Sequence, residues 1–125
     1  MSARTKEKVS VAGGPVEHVN EVRLVGRVSL APHERVLPSG DAVWVFRLAV
    51  TRTGDPGRSK QTVDALECAV WAARPRRSVA GWRVGDVVEV TGCLRRRFFR
   101  AGGAAASRTE VEVRAVRLIR RAATG

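Results

Sequence analysis

The chain has 125 residues, of which 44% are hydrophobic and 28% charged, as is typical of one folded domain with a modest core. Its 23 Lys and Arg residues outnumber 12 Asp and Glu, giving a formal net charge of +11. The expected partner is therefore a polyanion, with nucleic acid ahead of an anionic membrane surface. No apolar stretch is long enough to span a membrane and no secretory signal is visible, so we expect a cytoplasmic protein.

The sequence offers little for catalysis or for metal binding. Cys68 and Cys93 are too few for a disulfide framework, and neither belongs to a metal-ligand pair. The aspartates fall at turns and strand ends, and Gly102-Gly103 lacks the following lysine and helix of a phosphate-binding loop. We therefore expect no enzyme activity, no cofactor and no metal.

The first half of the chain reads as an arm followed by strands. Residues 1–18 are polar and aperiodic, which predicts a flexible N-terminal arm before a domain spanning residues 19–121. A glycine-interrupted, β-branched strand at residues 22–28 is followed by turn residues at 37–41. In the next strand, residues 42–52, Trp44 is in register with Phe46 and Leu48, and we expect it to pack in the core or a subunit interface.

The second half adds three strands and one helix. After a loop at residues 53–60, a third strand is expected at about residues 62–72, with Trp71 on its polar face. A short helix at residues 74–84 contains Trp82, which we expect to pack. Strands at residues 87–99 and 108–119 flank a small-residue loop at 101–107, and residues 122–125 form a disordered end. This order predicts an all-β fold, the five-stranded Greek-key OB-fold barrel with one short helix between strands 3 and 4, although other small barrels share the spacing.

Three segments resemble the bacterial single-stranded DNA-binding protein family. Residues 20–28 are similar to the opening strand of that family, and Leu37-Pro38-Ser39-Gly40 with residues 42–51 is similar to its second. Residues 85–97, which begin Gly85-Asp86 and contain Gly92, are similar to its fourth. The resemblance covers residues 20–119 and implies an OB-fold that assembles as a homotetramer, with a homodimer as the alternative.

The resemblance also implies which rings stack on bases. Trp71 matches a stacking phenylalanine of the family, and Phe99 matches a stacking tryptophan. Two further tryptophan positions of the family fall on Gly54 and Ala65, so those platforms are absent. The basic end of the chain also departs from relatives with an acidic C-terminal tip that recruits replication proteins, and suggests a short paralogue without that tip.

Arginines complete the predicted interface. Arg95 and Arg97 share a strand face with Phe99, and consecutive arginines would repel one another unless a polyanion neutralised them. The Phe98-Phe99 pair has one ring on each face, and we expect one to enter the core or an oligomer contact while Phe99 stacks. The predicted phosphate-binding arginines are Arg47, Arg52, Arg58, Arg95, Arg97 and Arg100.

These observations predict a protein that binds single-stranded DNA without reading its sequence, by base stacking and arginine–phosphate contacts. It would serve DNA replication, repair or recombination at the nucleoid. Two alternatives remain open at this point. One is an RNA-binding OB module, and the other is a protein-interaction module that has kept the fold and lost its ligand.

Overall fold

The computed structural model describes residues 8–11, 13–54 and 60–123. That part of the chain contains seven strands and one helix. In chain order they are β1 (Lys8–Val11), β2 (Gly14–Glu17), β3 (Val22–Val36), β4 (Ala42–Thr51), β5 (Val63–Val70), α1 (Ala73–Val79), β6 (Val87–Ala101) and β7 (Ala104–Arg120). None of its helices is long and apolar enough to cross a membrane.

Strands β3 to β7 close into a barrel in the order β3-β4-β5-β7-β6, with β6 pairing back to β3. All neighbouring strands are antiparallel except β5 and β7, which are parallel and are connected through α1 and β6. This arrangement confirms the predicted OB-fold, with its helix between the third and fourth barrel strands.

The segment expected to be an arm contains a two-stranded sheet of its own. Lys8–Val11 pairs antiparallel with Gly14–Glu17, and this sheet is separate from the barrel. Gly13 and Gly14 both have positive φ, which suits a tight connection. The polar composition gives no strand signal here, because a short hairpin can form from a turn and a few paired residues without an alternating apolar pattern.

The barrel core is formed by alternate residues of its strands, as the sequence pattern predicts. Members come from all five barrel strands, from α1 and from the segment after it: Val28, Phe46, Leu48, Cys68, Val70, Val79, Trp82, Val88, Val90, Val111 and Val113. Trp44 packs against this cluster from its edge, in agreement with the packing role expected for it. Burial raises the pKa of the Cys68 thiol to about 12, so this cysteine is an inert core residue.

Trp82 packs in the core, but it does not lie in the helix. Helix α1 ends at Val79, five residues before the predicted end, and a turn at Ala80-Gly81 directs the following chain inward. The Trp82 ring meets Phe46 edge to face, with 5.4 Å between ring centroids. Burying this aromatic ring outweighs continuing a short helix.

Gly92 marks a change of register between β6 and β7. A Cβ atom at Gly92 would lie 1.9 Å from the backbone oxygen of Glu112, so only glycine fits this close approach. The register passes from Thr91↔Ala115 to Gly92↔Val113 and skips Arg114. As a result Val116 packs against the core, and not Ala115, which an unbroken alternation with Val111 and Val113 would place there.

Strands β6 and β7 form a hairpin that is longer than predicted. The expected loop at residues 101–107 is absent, because pairing continues to Ala101↔Ala104. Gly102 and Gly103 have φ of 59° and 83°, as a two-residue hairpin turn requires. Among the described residues, β5 pairs with β7 no nearer the turn than Val111, and β3 pairs with β6 no nearer than Gly92. Residues 95–101 and 104–110 therefore extend beyond the barrel and pair only with each other.

The end of the described chain is tied to the barrel through Asp86. The buried carboxylate of Asp86 accepts hydrogen bonds from the backbone N–H groups of Arg83 and Ala122 and from Arg121, each at 2.8–3.0 Å. Burial opposes ionisation of this carboxyl, but these hydrogen bonds outweigh it and hold its pKa below the usual value. Ala122, the first residue of the end expected to be disordered, is held by this hydrogen bond. Thr124 and Gly125 lie outside the described residues.

Candidate nucleic-acid interface

The projecting hairpin presents two faces, and the core fixes which residues lie on each. Leu94 pairs with the core residue Val111, so both lie on the barrel side of the ladder. The side chains after Leu94 therefore point alternately to the outer face and to the barrel side. Trp71, which directly follows β5, also lies on the outer face. We call this set the outer strip: Trp71, Arg95, Arg97, Phe99, Arg108, Glu110 and Glu112.

Trp71 is half-buried where the hairpin leaves the barrel. The guanidinium carbon of Arg97 lies 5.2 Å from the centroid of its ring, in cation–π contact. The indole Nε1 is buried and has no hydrogen-bond partner among the described residues. Arg97 thus fastens the base of the two-stranded ribbon to the end of β5 and covers part of the ring face that a base would use.

Phe99 lies nearer the tip and is 42% exposed. The guanidinium carbon of Arg108, its diagonal neighbour on β7, lies 5.5 Å from the ring centroid. Each of the two predicted stacking rings is therefore paired with an arginine. The arrangement can hold a base either on the ring or on the guanidinium plane, because both are flat.

Two glutamates of β7 neutralise the arginines of the outer strip. The buried carboxylate of Glu110 accepts a hydrogen bond from Arg97 Nε. Glu112 lies between two guanidinium groups, 3.3 Å from Arg95 Nη2 and 3.6 Å from Arg97 Nη2. The contact of Glu110 is close and buried, whereas the contacts of Glu112 are long and partly exposed. A bound anion would therefore displace Glu112 from its arginines more easily than Glu110.

Arginine–carboxylate pairs also join β4 and β5. The pair Arg47–Glu67 lies on the outer face, whereas Asp64, which is opposite Val50, lies on the core-side face where the strands end. Arg47 contacts Glu67 directly across the ladder at 2.6 Å, and Arg52 forms a two-point pair with Asp64 at 2.9 and 3.0 Å. The hydrogen bonds from Arg52 hold the pKa of the Asp64 carboxyl below its usual value. Four of the predicted phosphate-binding arginines, counted with Arg95 and Arg97, are therefore paired with carboxylates of β5 or β7.

The structure brings together most of the predicted site and separates one member. Trp71, Arg95, Arg97 and Phe99 lie in the outer strip, and Arg47 lies on the outer face of β4. Arg52 follows the end of β4, and its partner Asp64 is on the core-side face. Arg100 lies on the other face of the hairpin, because it is an odd number of residues from Phe99. Arg58 lies outside the described residues.

Sequence reasoning missed the carboxylate partners and one ring. Glu110 and Glu112 share a strand parity, which was a signal, but only the β6–β7 register shows that they face Arg95 and Arg97. Phe98 was expected to enter the core or an oligomer contact if Phe99 stacks. Phe98 is not in the core: its side chain is 77% exposed, because the hairpin extends past the barrel.

Comparison with known proteins agrees with this fold. The model of the single-strand binding protein family matches residues 19–119, and the chain belongs to that family. It is 38% identical over 80 residues to single-stranded DNA-binding protein 3 of Listeria innocua and 35% identical over 80 residues to a single-stranded DNA-binding protein of Streptococcus pyogenes. Each alignment covers 63% of this chain and 49% or 48% of the relative, so the chain spans about half the length of these relatives.

A solved structure shows the same fold. It is described as a Plasmodium falciparum SSB complex with single-stranded DNA, and it superposes with a TM-score of 0.68 at 23% identity. The superposition covers 82% of this chain and 96% of that one. At this identity the likeness establishes the OB-fold, and the site must be argued from the residues of this chain.

Proposed function

We propose that this chain binds single-stranded DNA without reading its sequence. The observation that carries the proposal is that a member of the single-strand binding family places two aromatic rings and three arginines in one outer strip. Rings accept any base by stacking, and arginines accept the phosphates between them. Binding of this kind requires no catalysis. The protein would contact the phosphate backbone and the base faces of one strand.

In the bound state, phosphates would replace the protein's own carboxylates as the ion-pair partners of these arginines. Exposed ion pairs contribute little to stability, so replacing Glu112, Glu67 or Asp64 by a phosphate costs little. Arg97 is the exception, since Glu110 is buried and would be left unpaired if Arg97 moved away. Arg97 can donate from its Nε to Glu110 while its Nη groups donate to a phosphate.

The path of the strand would continue beyond the hairpin. The pair Arg47–Glu67 extends the line of exchangeable arginines along the outer face of β4 and β5, and the pair Arg52–Asp64 lies where these strands end, on the core-side face. Gly54 and Ala65, near the same end, supply no ring. We therefore expect this part of the path to act through phosphate contacts, with stacking concentrated on Trp71 and Phe99.

Self-association into a homotetramer, with a homodimer as the alternative, is part of the proposal. Apolar side chains remain exposed on the barrel strands β3 and β7, including Val25, Leu118 and Ile119. A contact between copies would cover such side chains. The proposed setting is the cytoplasm, where the protein would coat single strands exposed in replication, repair or recombination.

Titration with oligo-dT at two salt concentrations tests the proposal. Tryptophan fluorescence should be quenched on binding, since Trp71 is in the strip while Trp82 is buried in the core. Affinity should fall steeply with salt, because each neutralised phosphate releases counterions. Competition with single-stranded RNA and with duplex DNA separates the RNA-binding alternative. A failure to bind any oligonucleotide at low salt would refute the proposal in favour of a protein-interaction module.

A further inference from the structure

The barrel-side face of the projecting hairpin carries a second aromatic and basic row. Leu94, Arg96, Phe98 and Arg100 alternate along β6 on this face, opposite the outer strip. We call these four residues the reverse strip. Beyond the Leu94–Val111 pair the barrel no longer covers this face, and the Phe98 ring is 77% exposed, more than the 42% of Phe99.

Within the part of the chain that the structure describes, the arginines of the reverse strip have only neutral partners. Arg96 Nη1 donates to the Ser107 hydroxyl at 3.1 Å, and Arg100 Nη1 donates to the backbone oxygen of Gly103 at 3.3 Å. Among the described residues no carboxylate lies within ion-pairing distance of either one. A phosphate binding here would gain two charge-assisted contacts without displacing an acid, unlike a phosphate binding at Arg95 or Arg97.

We infer that the reverse strip is a second contact site for the same single strand, with a base stacked on Phe98 and phosphates held by Arg96 and Arg100. The inference rests on the proposed function. Arg96 and Arg100 are four residues apart, roughly 13 Å along an extended strand, with Phe98 midway. This spacing leaves room for a phosphate on either side of the ring. The strand would pass over the hairpin, from the outer strip to the reverse strip.

A second copy of this chain is a less suitable occupant of this face. In a two-fold contact the same surface meets itself, so two Arg96 and two Arg100 side chains would be brought together. No carboxylate on the described hairpin shares this face, since Glu110 and Glu112 both lie on the outer one. Like charges without an intervening anion disfavour that contact, and a nucleic acid supplies the anion.

The experiment compares variants on the two faces, using one dT oligonucleotide of about 10 nucleotides, within reach of one barrel, and one about five times longer. Phe98→Ala should weaken binding of the long oligonucleotide by about fivefold or more, and should weaken the short one less, because a short strand can occupy the outer strip without passing over the hairpin. Phe99→Ala should weaken both. The double variant Arg96→Gln/Arg100→Gln should also lower the dependence of log affinity on log salt by about 1.4, at about 0.7 for each lost phosphate contact.

The matched control is Arg74→Gln/Arg77→Gln, which removes the same charge from exposed positions in α1. If the wild type binds and Phe99→Ala weakens it, but both reverse-strip variants behave like this control, the inference is wrong and the proposed function stands. If the wild type binds no oligonucleotide, both fail. Sedimentation of every variant gives a further test: dissociation of the oligomer by Phe98→Ala, with unchanged binding per chain, would make the strip a contact between copies and overturn the inference.

Discussion

The two faces of the β6–β7 hairpin carry the same residue types in different electrostatic states. On the outer face Arg95 and Arg97 are held by Glu112 and Glu110, whereas on the reverse face Arg96 and Arg100 contact, among the described residues, only a hydroxyl and a carbonyl oxygen. The net charge of +11 is a sum over the whole chain and does not show how positive charge is divided between these two faces. In the described part of the chain, the arginines of the outer face are compensated by carboxylates, and those of the reverse face are not. The register between two strands decides which arginines are compensated.

The largest effect is expected at Gly92, where the register between β6 and β7 changes and so decides which side chains lie on each face. Gly92→Ala would place a Cβ atom against the backbone of Glu112, and we expect a loss of about 3 kcal/mol or more in the free energy of unfolding. Denaturant unfolding measures this. Gly81→Ala is the control, since the nearest atom to its added Cβ is 3.9 Å away. Equal stability of the two variants would show that the hairpin tolerates another register.

The next largest effect concerns stacking on the outer face. Trp71→Ala should lower the affinity for oligo-dT by about 1–3 kcal/mol and remove most of the fluorescence quench. Trp71→Phe should recover most of the affinity, because a smaller ring can still stack and can still contact Arg97. A Trp71→Phe variant as weak as Trp71→Ala would mean that the ring acts only by packing the hairpin against the barrel.

The carboxylates of the outer face give a gain of affinity. Glu112→Gln should strengthen oligo-dT binding by several-fold, and should steepen the salt dependence, because Arg95 and one Nη group of Arg97 are released for phosphate. Glu89→Gln is the matched control: it also frees two arginines, Arg23 and Arg117, but away from the strip. Equal gains in the two variants would mean that net charge alone is responsible, and a loss in Glu112→Gln would show that Glu112 is needed to position Arg95.

The smallest effect separates carboxylates that stabilise the fold from those that face the ligand. Hydrogen bonding lowers the pKa of Asp86 below its usual 3.8, so the folded state binds this proton less readily than the unfolded chain. The stability from Asp86 is therefore present above the unfolded pKa and is lost as the pH falls through the folded one. Between about pH 6 and about pH 3, the melting temperature of Asp86→Asn should fall less than that of the wild type.

Asp64 provides the comparison for this measurement. The pKa of Asp64 is also lowered, by its pair with Arg52, but the pair is exposed and contributes little to stability. Asp64→Asn should therefore follow the wild-type melting curve closely. A larger acid effect from Asp64 than from Asp86 would contradict the assignment of Asp86 as the residue that ties Ala122 to the barrel.

Much of the fold could be predicted from the chain, and the errors have identifiable causes. Alternation accounts for Phe46, Leu48, Cys68 and Val70 in the core, because the side-chain period of a strand is local. The hairpin from Val87 to Arg120 was divided by an expected loop, since alanines at positions 104–106 have low strand propensity. The Gly102-Gly103 turn and the partner strand overrode that propensity.

The sequence by itself determined the strand order, the inward residues and the sharing of one face by Arg95, Arg97 and Phe99. These follow from local periodicity and from turn chemistry. Only the tertiary structure decided that Glu110 and Glu112 neutralise those arginines, that Arg97 covers Trp71, and that Phe98 stays exposed. Such facts depend on the register between distant strands and on where the barrel stops covering the hairpin. Neither is encoded in the period of any one strand.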